Sequence, residues 1–186
     1  VLSTRGTRIQ VPDEFRGKLP KDTIQSVLVA PHCEALLFVD ETLVERLGPG
    51  AYHLCVRGRN VAVHSFSLRE QESVVAQQEV MSKDKVSLRL SAVVRYRIVD
   101  CAVAHSQHAD IASVIYADAQ LAMRRLVADR TLDQLLEQRP ACAAWLSDEL
   151  RARLADKGLS VQSAELRDLG VPAPMRALLH RVIEAE

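Results

Sequence analysis

His105 and His108, three positions apart and followed by Asp110, are the nearest this chain comes to a metal site. Zinc in proteins is held by four ligands or by three and a water, and Asp110 is the only nearby carboxylate, so solvated loop histidines are the simpler reading. The four cysteines, Cys33, Cys55, Cys101 and Cys142, lie far apart with no C-x-x-C pair, as expected of reduced, partly buried thiols. A disulfide or a reversible lipid attachment is the minority reading. Nucleophilic hydrolysis needs a serine on a strained turn such as G-x-S-x-G, and none occurs. Apart from Gly48-Pro49-Gly50 the glycines are isolated, so no phosphate-cradling loop is present. No catalytic residue, cofactor or metal is therefore expected.

What remains is a set of cations. Arg89, Arg95 and Arg97 fall on alternate positions of a stretch in which Val86, Leu88, Leu90, Ala92, Val94, Tyr96 and Ile98 occupy the positions between. Side chains alternate between faces of a strand, so this spacing predicts one long strand with a buried face and a wet, basic face, Val93 being the apolar exception on the wet side. Such a face binds a partner or lipid headgroups, or it is solvated or paired to carboxylates on a neighbouring strand, which is the commoner case. Arg124, Arg125 and Arg130 invite the same reading, with Asp129, Asp133, Glu137 or a neighbouring subunit as their expected contacts.

The elements that position these residues are legible from periodicity. Residues 1–25 mix Arg5, Arg8, Arg16, Lys18 and Lys21 with acids and are broken by Pro12 and Pro20, which reads as a linker or a weakly basic arm. From Ile24 to Phe66 come short strands and turns: 35–39 as a buried strand, Asp40-Glu41-Thr42 as a turn, 43–47 as its return. Gly48-Pro49-Gly50 is a tight turn whose two glycines allow positive φ. After the long strand, Ile111, Ile115, Ala119, Ala122 and Leu126 mark a helix, and Val114, Ala117 and Leu121 give it a second apolar edge, so it is expected between the sheet and another element. Thr131 reads as the N-cap of a short helix. Pro140 opens the next, along which Cys142, Leu146, Leu150 and Leu154 repeat and Glu149 faces Arg153. Lys157-Gly158 ends it, and a last strand covers 160–168. Finally Met175, Leu178, Leu179, Val182 and Ile183 form one apolar stripe, either packed on its own domain or opening a coiled coil that joins subunits.

Composition sets the outer limits. The 186 residues are 48% hydrophobic and 26% charged, an ordinary globular composition. The 24 Lys and Arg balance the 24 Asp and Glu, which disfavours nucleic acid as a partner. No apolar run reaches the roughly 18–20 residues that cross a bilayer, and no signal-peptide pattern opens the chain. The start without Met and the end inside a helical pattern suggest a piece of a longer protein, with any membrane anchor outside it.

Gln78-Glu79-Val80-Met81-Ser82-Lys83-Asp84 and the strand after it resemble the signature of the stomatin/prohibitin/flotillin (SPFH, band 7) domain family. Further matches, in order, are the strand end at 96–100, Thr131-Leu132-Asp133-Gln134-Leu135-Leu136, and Leu166-Arg167-Asp168-Leu169-Gly170-Val171-Pro172. Within the family the chain looks like the bacterial slipin, or stomatin-like, branch. The resemblance implies an α+β fold: an antiparallel β lobe over 26–85, an α/β lobe over 86–172 with helices on a sheet, and the start of a C-terminal helix over 173–186. It further implies a non-catalytic, membrane-associated homo-oligomeric scaffold that organises microdomains or regulates a membrane protease. An NfeD-like membrane protein or that protease would be its partner, and the present domain would face the cytoplasm of the cell. Val171 departs from the family's Leu, and neither the usual N-terminal membrane segment nor the long C-terminal coiled coil lies in this chain. The competing expectation is a monomeric adaptor that binds a membrane protein through the β lobe or the basic face. A hydrolase is the third and would need a serine or histidine whose loss abolishes activity.

Overall fold

The β-rich first half and the helical second half fold as two compact units that divide between Arg69 and Glu70. The computed structural model describes Arg8–Ile9 and residues 24–170. The apolar stripe from Met175 to Ile183 therefore lies outside the described residues.

The first unit is built from two three-stranded antiparallel sheets. One orders β1 (Arg8–Ile9), β5 (Gly50–Cys55) and β2 (Ile24–Val29), and the other orders β4 (Thr42–Leu47), β3 (Cys33–Val39) and β6 (Val61–Ser67). Val29, Ala35, Leu37, Leu47 and Leu54 come from both sheets into one core. The β3–β4 hairpin turns through Asp40 and Glu41, at φ 50° and 65°. Two left-handed residues in a two-residue loop match the right-handed twist of the flanking strands. Asp40 is held there by Asn60, whose amide donates to the Asp40 carboxylate at 3.0 Å. At the next turn Gly50 uses the freedom that both glycines offer, with φ 149°, and Gly48 does not. The expected linker over 1–25 is also corrected at its described residues: Arg8 and Ile9 pair with Leu54 and His53, and Ile24 opens β2.

The second unit is one antiparallel sheet with helices on one face. The sheet orders β7 (Gln71–Met81), β8 (Ser87–Ile98) and β9 (Leu159–Gly170). Leu88, Leu90, Ala92, Val94, Tyr96 and Ile98 of β8 are buried, as the alternation requires. Over that face pack α2 (Ile111–Ala128), with Ile115, Ala119, Met123 and Leu126 buried, and α4 (Arg139–Leu154), with Cys142, Leu146, Leu150 and Leu154 buried. Between β8 and α2 runs α1 (Cys101–Gln107), and α3 (Leu132–Glu137) joins α2 to α4. Because β7 pairs with β8 along its length, the boundary between lobes falls at Arg69 and not at residue 85. The second apolar edge of α2 is not covered: Ala117 is exposed, and so is Leu121, at 49%.

Three local devices hold this unit together. Asp100 caps α1, accepting from the amides of Ala102 and Val103 at 3.0 and 3.1 Å. A 3-10 turn (Ala155–Lys157) ends at Gly158 with φ 72°, and the Gly158 carbonyl accepts from the amides of Val99 and Asp100 at 2.9 and 3.1 Å. The β9 edge is closed by α4: the Ser147 hydroxyl accepts from the Ala164 amide at 2.9 Å, and Arg151 donates to the carbonyls of Val161 and Gln162 at 3.1 and 2.8 Å. Side chains that occupy edge backbone groups keep a foreign strand from adding there.

Candidate functional site

The basic row of β8 is assembled as its alternation predicts, and β7 supplies a matching acidic row. Glu72 lies opposite Arg95 and Glu79 opposite Arg89 in the strand register. The three ion pairs are Arg89–Glu79 at 2.6 Å, Arg95–Glu72 at 3.5 Å and Arg97–Glu70 at 3.5 Å, all well exposed. At that exposure each is worth a few tenths of a kcal/mol to about 1 kcal/mol, so the rows set charge pattern more than stability. Val74 and Val93 sit opposite each other between the charges. One residue of the basic face departs from expectation: Ser91 is buried, because its hydroxyl accepts from the Gln77 amide at 3.2 Å. That bond satisfies a bulge in β7, where Gln77 takes φ 50° and the register shifts between Val75 and Gln78. On the other side of β8, Ser163, Glu165 and Arg167 of β9 and Glu72 of β7 border a trough of about 240 Å³ over Val93 and Arg95.

Carboxylates on a neighbouring strand were the expected partners, and they are found here; which glutamates they are was not legible, because β7 lacks clean alternation. A signal was there. Glu72 and Glu79 are seven positions apart, whereas Arg95 and Arg89 are six apart, and the difference is the bulge.

The family-like string at 78–84 does structural work at two joints. Gln78 bridges the bulge to α2: it accepts from Gln120 Nε2 at 2.5 Å and donates to Tyr116 at 3.2 Å and to the Ala76 carbonyl at 3.0 Å. Asp84, at the β7–β8 turn, accepts from the Ser82 hydroxyl at 2.5 Å and from the Leu132 amide at 3.3 Å, and so ties the turn to the start of α3. The Lys83 amide adds a bond to the Arg130 carbonyl at 2.9 Å. Thr131 and Gln134 close that helix start as a capping box, the expected cap with its reciprocal partner. The Ser82 hydroxyl first, and the Leu132 amide after it, hold the Asp84 carboxyl below its ordinary range.

The other candidate residues are spread out. His105 lies in the last turn of α1 and His108 at its C-cap, while Asp110 caps α2 by accepting from the Ala112 amide at 3.0 Å and from the Ser113 hydroxyl. Among the described residues no three His, Cys, Asp or Glu are grouped to hold a metal ion. All four cysteines are free thiols, Cys101 and Cys142 buried and Cys33 and Cys55 partly so. Burial pushes the Cys142 thiol up, against a smaller opposite pull from Arg130. Arg125 of α2 and Arg130 just beyond it find other partners than expected. Arg125 pairs with Glu149 at 2.6 Å, and Arg130 stacks 5.3 Å over Trp145 while donating to the Leu126 carbonyl at 3.1 Å. Glu149 also takes the expected bond from Arg153, at 2.8 Å, and Asp118 of α2 receives both Arg153 at 3.5 Å and Lys157 at 2.5 Å.

A half-covered antiparallel sheet with helices on one face, preceded by a small β unit, is the setting in which the family match falls. The chain matches the SPFH domain / Band 7 family over residues 32–186 and belongs to that family. Stomatins are among its relatives. It is 31% identical over 162 residues to an uncharacterized protein of Archaeoglobus fulgidus, covering 86% of this chain and 63% of that one. To a stomatin homolog of Pyrococcus horikoshii it is 28% identical over 159 residues, covering 86% of this chain and 59% of that one. To mouse stomatin it is 30% identical over 110 residues, covering 58% and 38%. The chain thus spans about three fifths of the length of the two archaeal relatives.

Proposed function

We propose that this chain is the SPFH domain of a membrane-associated, non-catalytic scaffold of the stomatin type. By self-association it organises a patch of membrane or regulates a membrane protease, with an NfeD-like membrane protein as the expected partner if it belongs to the slipin branch. The observation that carries this reading is the family match over residues 32–186 together with stomatins among the relatives. Two features of the described residues support it. Their polar clusters are spent on joints, with Asp84, Asp100, Asp110 and Thr131 each capping a helix or turn. No described helix is long and apolar enough to cross a membrane, so attachment would come from elsewhere in the protein or from a partner.

Self-association is assigned first to the apolar stripe Met175, Leu178, Leu179, Val182 and Ile183. The test is absolute mass by light scattering across a concentration series, for the chain and for its Leu179→Asp/Ile183→Asp variant. The parent is expected to gain mass with concentration and the variant to gain less. A parent that stays monomeric throughout, and is captured as a monomer by a membrane partner, would replace the scaffold with the adaptor reading.

A further inference from the structure

The outer face of the β7–β8 pair has a symmetry that its own chain does not use. Each glutamate of β7 stands directly beside an arginine of β8: Glu72 beside Arg95 and Glu79 beside Arg89, with Glu70 reaching Arg97 at the end of the row. Consider a twofold axis parallel to the strands, midway between β7 and β8 and just above their outer face. The operation exchanges the two members of every registered pair. It lays Glu72 of one copy over Arg95 of the other, Glu79 over Arg89, and Val74 over Val93. The bulge at Gln77 does no harm, because the register has already absorbed it within each copy.

We infer that this face is a self-complementary docking surface for a second copy of this chain, an inference that rests on the scaffold reading above. Three features support that occupant. The charges alternate in both directions across the contact, so every carboxylate meets two guanidinium groups and no like charges are stacked. The centre of the face is apolar, with Val74 45% exposed beside Val93, and the rim is charged, which is the anatomy of an interface. The same operation brings the second copy's β7 over β8, into the trough of about 240 Å³ that runs over Val93 and Arg95.

The contact is small. Roughly ten outward residues per copy compare with the 20–30 of a standard interface, so it is weak alone. It becomes effective where other contacts or a shared membrane hold copies together and raise their effective concentration.

The test is sedimentation equilibrium of the 186-residue chain at low salt, with Arg95→Glu, Glu72→Arg and their equimolar mixture. Both positions are exposed, and circular dichroism verifies that both variants fold. Each variant alone stacks four like charges across the axis and is expected to weaken self-association at least about tenfold. The mixture is expected to recover it, because one copy then carries two glutamates and the other two arginines. Association of both variants at the parent's strength, or a mixture no stronger than its components, overturns the interface and leaves the scaffold reading intact. A parent monomeric at every concentration overturns the interface, and capture of that monomer by a membrane partner overturns the scaffold reading as well. If Arg95→Glu instead abolishes sedimentation with phosphatidylserine vesicles and self-associates at the parent's strength, the face belongs to lipid and the inference fails.

Discussion

Replacing Gly158 with alanine tests the tightest joint in the second unit. Gly158 stands at φ 72°, and a Cβ built there lies 2.4 Å from the Asp100 carbonyl oxygen and 3.2 Å from the Ala104 amide nitrogen. Both neighbours are backbone at the start of α1, so neither can swing aside as a side-chain tip would. The left-handed backbone alone costs an alanine about 1–2 kcal/mol. Moving a packed backbone segment to relieve the contact adds about 1–3 kcal/mol. The shift also strains the two bonds that the Gly158 carbonyl receives from Val99 and Asp100, each worth about 0.5–1.5 kcal/mol. The first two contributions give a loss of about 2–5 kcal/mol before any weakening of those bonds, or about 1–3 M in urea midpoint at the usual slope for a domain of this size. The single tryptophan, Trp145, lies in α4 of the same unit, so its fluorescence reports the unfolding that matters. Two controls divide the cost. Both lie in the same unit: Lys85→Gly, at an exposed position with φ 64°, measures the left-handed backbone cost without a clash, and Gly170→Ala, with no positive φ and its nearest neighbour the Arg89 carbonyl oxygen at 3.9 Å, carries neither. A Gly158→Ala protein that loses no more stability than Lys85→Gly gains would refute the claim that close approach, and not φ, fixes this glycine.

Three further outcomes follow from the same geometry. Ser147→Ala leaves the buried Ala164 amide without its acceptor and is expected to cost about 1–3 kcal/mol in urea unfolding, with faster exchange of that amide; unchanged exchange would count against the edge closure. Asp118→Ala strips Lys157 and Arg153 of a mostly buried partner, and a loss of about 1–3 kcal/mol that shrinks in high salt is expected, whereas a salt-independent loss would point to packing instead. The carboxyls of Asp84 and Asp110 are held below their ordinary range, by the Ser82 and Ser113 hydroxyls first. A depressed folded pKa contributes stability above the unfolded value of about 3.9, and that contribution is lost as pH falls through the folded pKa. Unfolding midpoints followed below about pH 4 should therefore fall less steeply for Asp84→Asn than for the parent; parallel curves would remove Asp84 from the account.

The sequence was most legible where one periodicity governed a long stretch. The alternation of β8 and the four-residue repeat of Cys142, Leu146, Leu150 and Leu154 each reached the structure almost unchanged. It was least legible where the backbone leaves its period. The left-handed Gln77 breaks β7 into two half-strands with opposite phase, so neither half alone alternates long enough to be read. The seven residues of α1 are too few for a helical repeat, and its signal was the cap Asp100 and not its apolar residues. The uncovered edge of α2 has a different cause. Leu121 and Ala117 satisfy the spacing of an apolar face, but no described element packs over that side, and spacing alone carries no information about what lies opposite.

Within the family-like segments, the residues that hold joints and the residues turned outward, Glu79 and Arg97 among them, are different sets. Gln78, Ser82, Asp84 and Thr131 are engaged in bonds that join β7 to α2 and the β7–β8 turn to α3, so their loss is expected to lower the stability of the second unit. A match built on such joints reports the fold faithfully and says little about what binds it. The outward rows on β7 and β8 sit between those joints, free of any part in the core, and their charges can be exchanged at small cost to folding. Differences in partner between stomatin-like proteins are therefore expected on this outer face, while the joints beneath it stay fixed. Transplanting only the outward residues of β7 and β8 from one relative to another should move association preference without moving the unfolding midpoint. A transplant that unfolds the second unit would show that the two sets are not separable after all.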